Sequence, residues 1–142
     1  MMKFHWLSLL LCLLAIGCGQ DGPDLAEVSG VITIDGKPLQ GAVVSFSPAQ
    51  PGGSPSYGQT DVEGKYLLFF SRDRTGAMPG THNVTIETQK LGQEDQQALR
   101  DAGLPVPEYV AISSRYGQIG ALTANVAPGE NEVNLELTSD KK

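Results

Sequence analysis

Residues 27–138 read as an all-β sandwich of about seven short strands. Two patterns carry that reading. Apolar side chains recur at every second position over short runs, the period of a strand with one buried face. Clusters of Asp, Gly, Pro and Asn then punctuate the runs where turns are needed. Seven short alternating strands separated by turns point to two packed sheets.

The first run places Val28, Gly30, Ile32 and Ile34 on one face and Ser29, Val31 and Thr33 on the other. Asp35-Gly36-Lys37-Pro38 closes it as a turn. In the next strand Ala42, Val44 and Phe46 face one way, with Ser45 and Ser47 opposite. A Pro/Gly/Ser loop covers 48–55. Gln59 and Thr60 lead into a hairpin turned by Asp61-Val62-Glu63-Gly64. Its return strand, 65–71, is apolar on both faces through Tyr66, Leu67, Leu68, Phe69 and Phe70. That pattern predicts a central strand covered on both sides. After a loop over 72–80, Val84 and Ile86 alternate with Asn83, Thr85 and Glu87. Residues 89–118 form a polar insertion, irregular or short-helical, with a helix expected over 94–102 and stopped by Gly103 and Pro105. Leu122, Ala124 and Val126 make another strand, and Pro128-Gly129-Glu130-Asn131 turns the chain into Val133, Leu135 and Leu137. Glu132, Glu136 and Asp140, with Lys141 and Lys142, blunt an exposed edge there.

Ahead of this domain stands a leader. Lys3 is the one charge before an apolar run from Leu7 to Ile16, broken only by Ser8. A membrane span needs about 20 apolar residues, roughly twice this length. A short apolar core ending in small residues is the form of a secretory signal. Leu14-Ala15-Ile16-Gly17-Cys18 resembles the lipobox of bacterial lipoproteins, with Ala15 where Leu is usual. The resemblance implies removal of residues 1–17, acylation of Cys18 with palmitate-type chains, and a tether over 18–26. Ordinary cleavage leaving Cys18 free is the competing reading. One acyl chain binds a membrane only marginally, and two or more anchor it firmly. Gly19, in place of Asp, favours an outer membrane under the best-known sorting rule, the alternative being the periplasmic face of another membrane. Extended, the tether reaches about 26 Å at roughly 3.3 Å per residue. Residues 139–142 are a polar tail.

Composition narrows the function. A formal net charge of −6 argues against nucleic acid and against electrostatic docking on anionic lipid. The two cysteines are Cys12 and Cys18, so the mature domain has no disulfide and must be held by core packing. Of the two histidines, His5 leaves with the leader and His82 stays. A Ser-His-Asp site would have to use His82, and a zinc site would need more His or Cys than the domain has. P-loop and G-x-S-x-G motifs do not occur. No cofactor is expected.

Three motifs point to a family. Val28-Ser29-Gly30-Val31-Ile32-Thr33-Ile34-Asp35-Gly36-Lys37-Pro38-Leu39 resembles the opening of carboxypeptidase regulatory-like domains. Thr60-Asp61-Val62-Glu63-Gly64-Lys65-Tyr66 is similar to the T-D-x-x-G-x-Y segment of those domains, and Pro79-Gly80-Thr81 to a later P-G-x-Y. Ser114-Arg115-Tyr116-Gly117 and Leu122-Thr123-Ala124-Asn125-Val126 resemble a late stretch of small bacterial lipoproteins that carry the domain. The resemblance implies a single seven-stranded transthyretin-like, immunoglobulin-like β-sandwich, and it is nearly silent on function. His82 stands where the family often has Tyr, and is expected as a partly buried replacement for an aromatic. Transthyretin-like hydrolases need several histidines and a C-terminal Tyr-Arg-Gly-Ser, which this chain lacks.

The remaining candidates are binding residues. Tyr57, Tyr109 and Tyr116 lie in or beside predicted loops and are candidate glycan contacts, tyrosines over sandwich ends being the bland alternative. Asp61 and Glu63, with Asp35 or Asp73, are candidate calcium ligands. Calcium wants six to eight oxygens, so an Asx-type turn at Asp61 is the expected reading. Arg72 and Arg74 could hold an anionic group if they converge. The expectation is a non-enzymatic, lipid-anchored envelope lipoprotein that serves as a structural or protein-interaction module, with a surface carbohydrate-binding module as the alternative. Its partners would be the membrane through Cys18 and an envelope protein or surface polysaccharide.

Overall fold

The computed structural model describes residues 22–140. The expected leader and Cys18 therefore lie outside the described residues. Two sheets face each other across one core. The first is centred on β1 (Glu27–Ile34), which pairs antiparallel with β2 (Lys37–Pro38) and β5 (Lys65–Leu67) on one side. On its other side β10 (Glu130–Glu132) and β11 (Leu135–Leu137) run parallel to it. The second sheet has β7 (Arg74–Thr75), β6 (Phe69–Ser71), β4 (Ser56–Gln59), β3 (Ala42–Pro48), β8 (Gly80–Thr88) and β9 (Leu122–Val126), in that order.

The alternation places its residues as the period requires. Val28, Ile32 and Ile34 of β1 meet Ala42, Val44 and Phe46 of β3 and Val84 and Ile86 of β8 in one buried cluster. Transfer of each of these Val, Ile and Phe side chains out of water is worth about 1.5–3 kcal/mol. The last two strands cross to the first sheet and lie parallel to β1, which the turn at 128–131 does not reveal. At the gap between β10 and β11, Asn134 Oδ1 accepts the Val31 N–H at 2.9 Å and replaces a ladder bond. Glu132 and Glu136 sit on this outer edge and are exposed.

The return strand after the Asp61–Gly64 turn departs from the alternation-based expectation. The run 65–71 is not a single central strand. It leaves the first sheet after Leu67 and enters the second at Phe69, with Leu68 buried at the crossing. The crossing residue keeps its backbone satisfied: the Leu68 N–H donates to Val28 O (2.9 Å) and its carbonyl accepts from Gly76 N–H (2.7 Å). Phe69 consequently points outward and is 45% exposed.

Strand polarity gives the sandwich two ends. The start of β1, the loop 49–55, the β6–β7 turn and residues 127–129 share the N-terminal end. The Asp61–Gly64 turn, the insertion after β8 and the end of β11 share the opposite one. The insertion holds α1 (Gln93–Asp101), which has no buried residue, and a 3₁₀ turn over Ser114–Gly117. Val110 and Ile112 between them pack against the core.

Candidate functional site

The crossing at Leu68 shapes a surface hollow. The outward faces of the two sheets meet there at a concave corner, a hollow of about 800 Å³. This falls within the roughly 300–1,000 Å³ typical of small-ligand sites. Val31 and Leu67 line it from the first sheet, and Val43, Tyr57 and Phe69 from the second. Tyr57 and Phe69 are direct partners across β4 and β6, and both rings are about half exposed, at 52% and 45%. Polar groups of both kinds rim the hollow: Ser29, Gln59, Lys65 and Glu132. Lys65 Nζ reaches Glu63 Oε2 at 3.1 Å, a solvent-exposed pair of small energetic weight. Glu132 accepts from Asn134 Nδ2 at 3.0 Å.

Local chemistry holds the corner in shape. Asp61 Oδ1 accepts the N–H groups of Glu63 (2.8 Å) and Lys65 (2.9 Å), which fixes the turn into β5. Thr60 Oγ1 accepts the Ala42 N–H at 2.9 Å inside the core, tying that turn to β3. Gly58 lets β4 approach the crossing, since a Cβ there would lie 2.7 Å from Leu67 O.

The predicted site residues are not brought to one place. Tyr57 belongs to strand β4 rather than a loop, and it lines the corner. Tyr109 is 46% exposed and lines a smaller hollow of about 150 Å³ that shares Val43 and Gln59 with the corner. Tyr116 is buried, so its ring offers no face for stacking on a ligand, which corrects its assignment as a glycan contact. Its hydroxyl oxygen accepts from Thr138 N–H (2.9 Å) and Arg115 Nη2 (2.7 Å), with the guanidinium 4.7 Å from the ring centroid. Desolvation raises the ionisation of Tyr116, but the hydrogen bonds to Thr138 and Arg115 and the Arg115 charge outweigh it and leave a net downward shift. Tyr116 is a pin between the 3₁₀ turn and the end of β11.

The carboxylates do not converge either. Asp61 is occupied by its own turn and Glu63 by Lys65. Asp35 holds Ser139 through its backbone N–H (3.1 Å) and hydroxyl, while Asp73 accepts from Ser71 at the other end of the sandwich. Among the described residues no group of three or more His, Cys, Asp or Glu side chains is assembled for a metal. Arg74 donates to Pro23 O at 2.6 Å and lies 5.6 Å over the Phe70 ring, whereas Arg72 is exposed.

His82 is fully buried rather than partly so, at 1% exposure, and packs on Phe46 at 5.9 Å between ring centroids. Nε2 lies 2.7 Å from Met78 O. A carbonyl can only accept, so Nε2 carries the proton. Nδ1 is buried without a partner. Tyr66 is also core: it donates to Val133 O at 2.7 Å, and burial pushes its ionisation up.

Phe69, Leu67, Val31 and Val43 were not among the predicted site residues. Their signal was present in the apolar outward positions of strands whose other outward residues are polar. For Leu67 and Phe69 it was masked because an all-apolar run reads as doubly covered.

No family model matches the chain, and no curated protein does. Among solved structures it is similar to a DUF3823 family protein from Parabacteroides merdae, a β-rich fold, at 17% identity and a TM-score of 0.45. The similarity covers 83% of this chain and 48% of that one, so the chain spans just under half the length of its neighbour.

Proposed function

We propose that this protein is a non-enzymatic carbohydrate-binding module of the bacterial cell envelope, anchored by lipid at Cys18. One observation carries the reading. Tyr57 and Phe69 stand side by side, outward and half exposed, in a hollow whose rim offers both donors and acceptors. A sugar ring has an apolar C–H face and an edge of hydroxyls that both donate and accept. Large rigid rings supply contact area at small entropic cost, and Gln59, Lys65 and Glu132 can serve the hydroxyls. A wholly apolar ligand would leave those rim groups unpaired, at a cost of about 1–3 kcal/mol each if desolvated. The domain's one histidine is engaged inside the core, which supports a binding role over a reaction.

The test is retention of the full chain on immobilised neutral polysaccharides. Tyr57→Ala combined with Phe69→Ala should lower retention at least tenfold while the far-ultraviolet circular dichroism stays unchanged. Equal retention of the double variant, or no retention of the parent on any neutral glycan, would remove the reading.

A second reading, a protein-interaction module, is favoured by α1. Its nine residues bury no side chain, and isolated helices shorter than about 12–15 residues are marginal in water. It also sits at the end away from Pro23, where an anchored domain would present it outward. Crosslinking in intact cells followed by capture distinguishes the two: a reproducible protein partner favours this reading, recovered wall or capsular sugar the first.

A further inference from the structure

Resting on the carbohydrate reading, we infer that the site is an open-ended cleft for the interior of a linear, neutral polysaccharide, not a pocket for a terminal sugar. Three hollows adjoin one another, from the corner between the sheets, past Val43 and Gln59 of the second, to the end of β8 beside the insertion. The corner and the hollow beside Tyr109 share Val43 and Gln59. That hollow and a third, of about 370 Å³, share Tyr109 and Thr88. Tyr109 is thus a half-exposed ridge between two hollows, not a wall at the end of one.

Among the described residues neither end is closed by a covering strand. At the Phe69 end the sheet finishes with the two residues of β7, where Thr75 is exposed. At the far end the third hollow opens beside Glu87, Gly117 and Gln118, all exposed.

The register sets the length. Phe69 pairs with Tyr57, Gln59 with Val43, and Val43 with Glu87. From Phe69 to Glu87 is three strand spacings across and two residues along, about 16 Å with spacings near 4.8 Å and a rise near 3.4 Å. One sugar ring would fill only part of it.

Charge selects the polymer. Among the described residues, Glu132, Asp61, Glu108 and Glu87 line the three hollows against one cation, Lys65, on a chain of net charge −6. Acidic polysaccharides would bring like charge to this path, and a neutral chain escapes that repulsion.

The experiment is affinity electrophoresis of the full chain in detergent, in gels carrying barley β-glucan, soluble starch, glycol chitin or polygalacturonate. It is followed by calorimetric titration with two- to six-unit oligomers of each retarding neutral polymer. The expected result is retardation by a neutral gel and not by polygalacturonate, with affinity rising at least tenfold from dimer to hexamer. Tyr109→Ala should weaken hexamer binding about tenfold and leave the dimer unchanged; Tyr57→Ala should weaken both. If a neutral gel retards the protein but dimer and hexamer bind alike, or Tyr109→Ala has no effect on the hexamer, the extended cleft is wrong and the carbohydrate reading stands. Stronger retardation by polygalacturonate overturns the neutral class. No retardation in any gel removes both the inference and the reading beneath it.

Discussion

Gly30→Ala should be among the most damaging small substitutions in this chain. Gly30 occupies an inward position of β1 whose inward neighbours are Val28, Ile32 and Ile34. A Cβ there would stand 1.9 Å from Val133 O, 2.6 Å from Val133 C and 3.1 Å from Tyr66 Cε1. Restoring ordinary contact near 3.5 Å requires the Val133 carbonyl to retreat by about 1.5 Å. That carbonyl accepts the Tyr66 hydroxyl at 2.7 Å, and the Val133 N–H donates to Ser29 O at 2.8 Å. Overpacking costs about 1–3 kcal/mol. Losing the hydrogen bond and stranding a buried hydroxyl adds about 1–3 kcal/mol. The lower entropy of an unfolded chain with Ala returns about 0.4–1 kcal/mol. The net expectation is a loss of about 3 kcal/mol, read from urea unfolding followed by far-ultraviolet circular dichroism. Tyr66→Phe removes the same bond without the clash and should cost about 1 kcal/mol. Because both variants lose that bond, the double variant should fall short of additivity by roughly 1 kcal/mol. A loss below about 1 kcal/mol for Gly30→Ala, or strict additivity with Tyr66→Phe, would refute the claim that this contact dictates the glycine.

Tyr66 also predicts an alkaline limit. Burial raises its folded ionisation above the ordinary 10.0, so the folded state keeps a proton that the unfolded chain releases. Its contribution is complete below pH 10 and declines as pH rises past it, a slope that urea midpoints should show and Tyr66→Phe should flatten. Tyr116 is shifted the other way, so in that variant stability should rise slightly as pH approaches 10 from below. Thr60→Val strands the buried Ala42 N–H and should cost about 1–3 kcal/mol in the same assay. His82→Phe keeps a ring against Phe46 and removes the unpaired Nδ1, but leaves Met78 O without its donor, so its stability should stay within about 1.5 kcal/mol of the parent, against about 3–5 kcal/mol lost on truncation of a large buried ring to Ala. For the anchor, Cys18→Ala should shift the protein from the detergent phase to the aqueous phase, and a variant that stays in detergent would rule out lipid at this residue.

The strands that were legible in the sequence are those in which one face is apolar and the other polar. In β1, β3 and β8 the period of two alone separates Val28 from Ser29, Val44 from Ser45, and Val84 from Thr85. The helix at 93–101 was legible from its stops, Gly103 and Pro105. What stayed hidden depends on which sheet a strand joins, because register and sheet membership are set by tertiary packing and leave no period behind. The parallel return of β10 and β11 beside β1 is one case. Tyr116 is another: a tyrosine in a polar insertion looks available, and only the approach of Thr138 and Arg115 turns it into a buried pin.

The same ambiguity hid the site and makes it. A run apolar on both faces has two physical solutions: a strand covered by a second layer, or a strand that changes sheets so that each face serves a different surface. Residues 65–71 take the second. Tyr66 and Leu68 turn inward and bury their side chains in the core, while Leu67 and Phe69 turn outward on either side of the crossing. Pairing with β1 on one side and β4 on the other then bends the outward surface into a corner. Gly58, with no side chain to meet Leu67 O, lets β4 close on that corner and brings Tyr57 beside Phe69. The exposed rings are therefore not a flaw in an otherwise polar surface. They follow from the crossing that holds the two sheets together, so any ligand bound there is read by the residues that fix the sandwich itself.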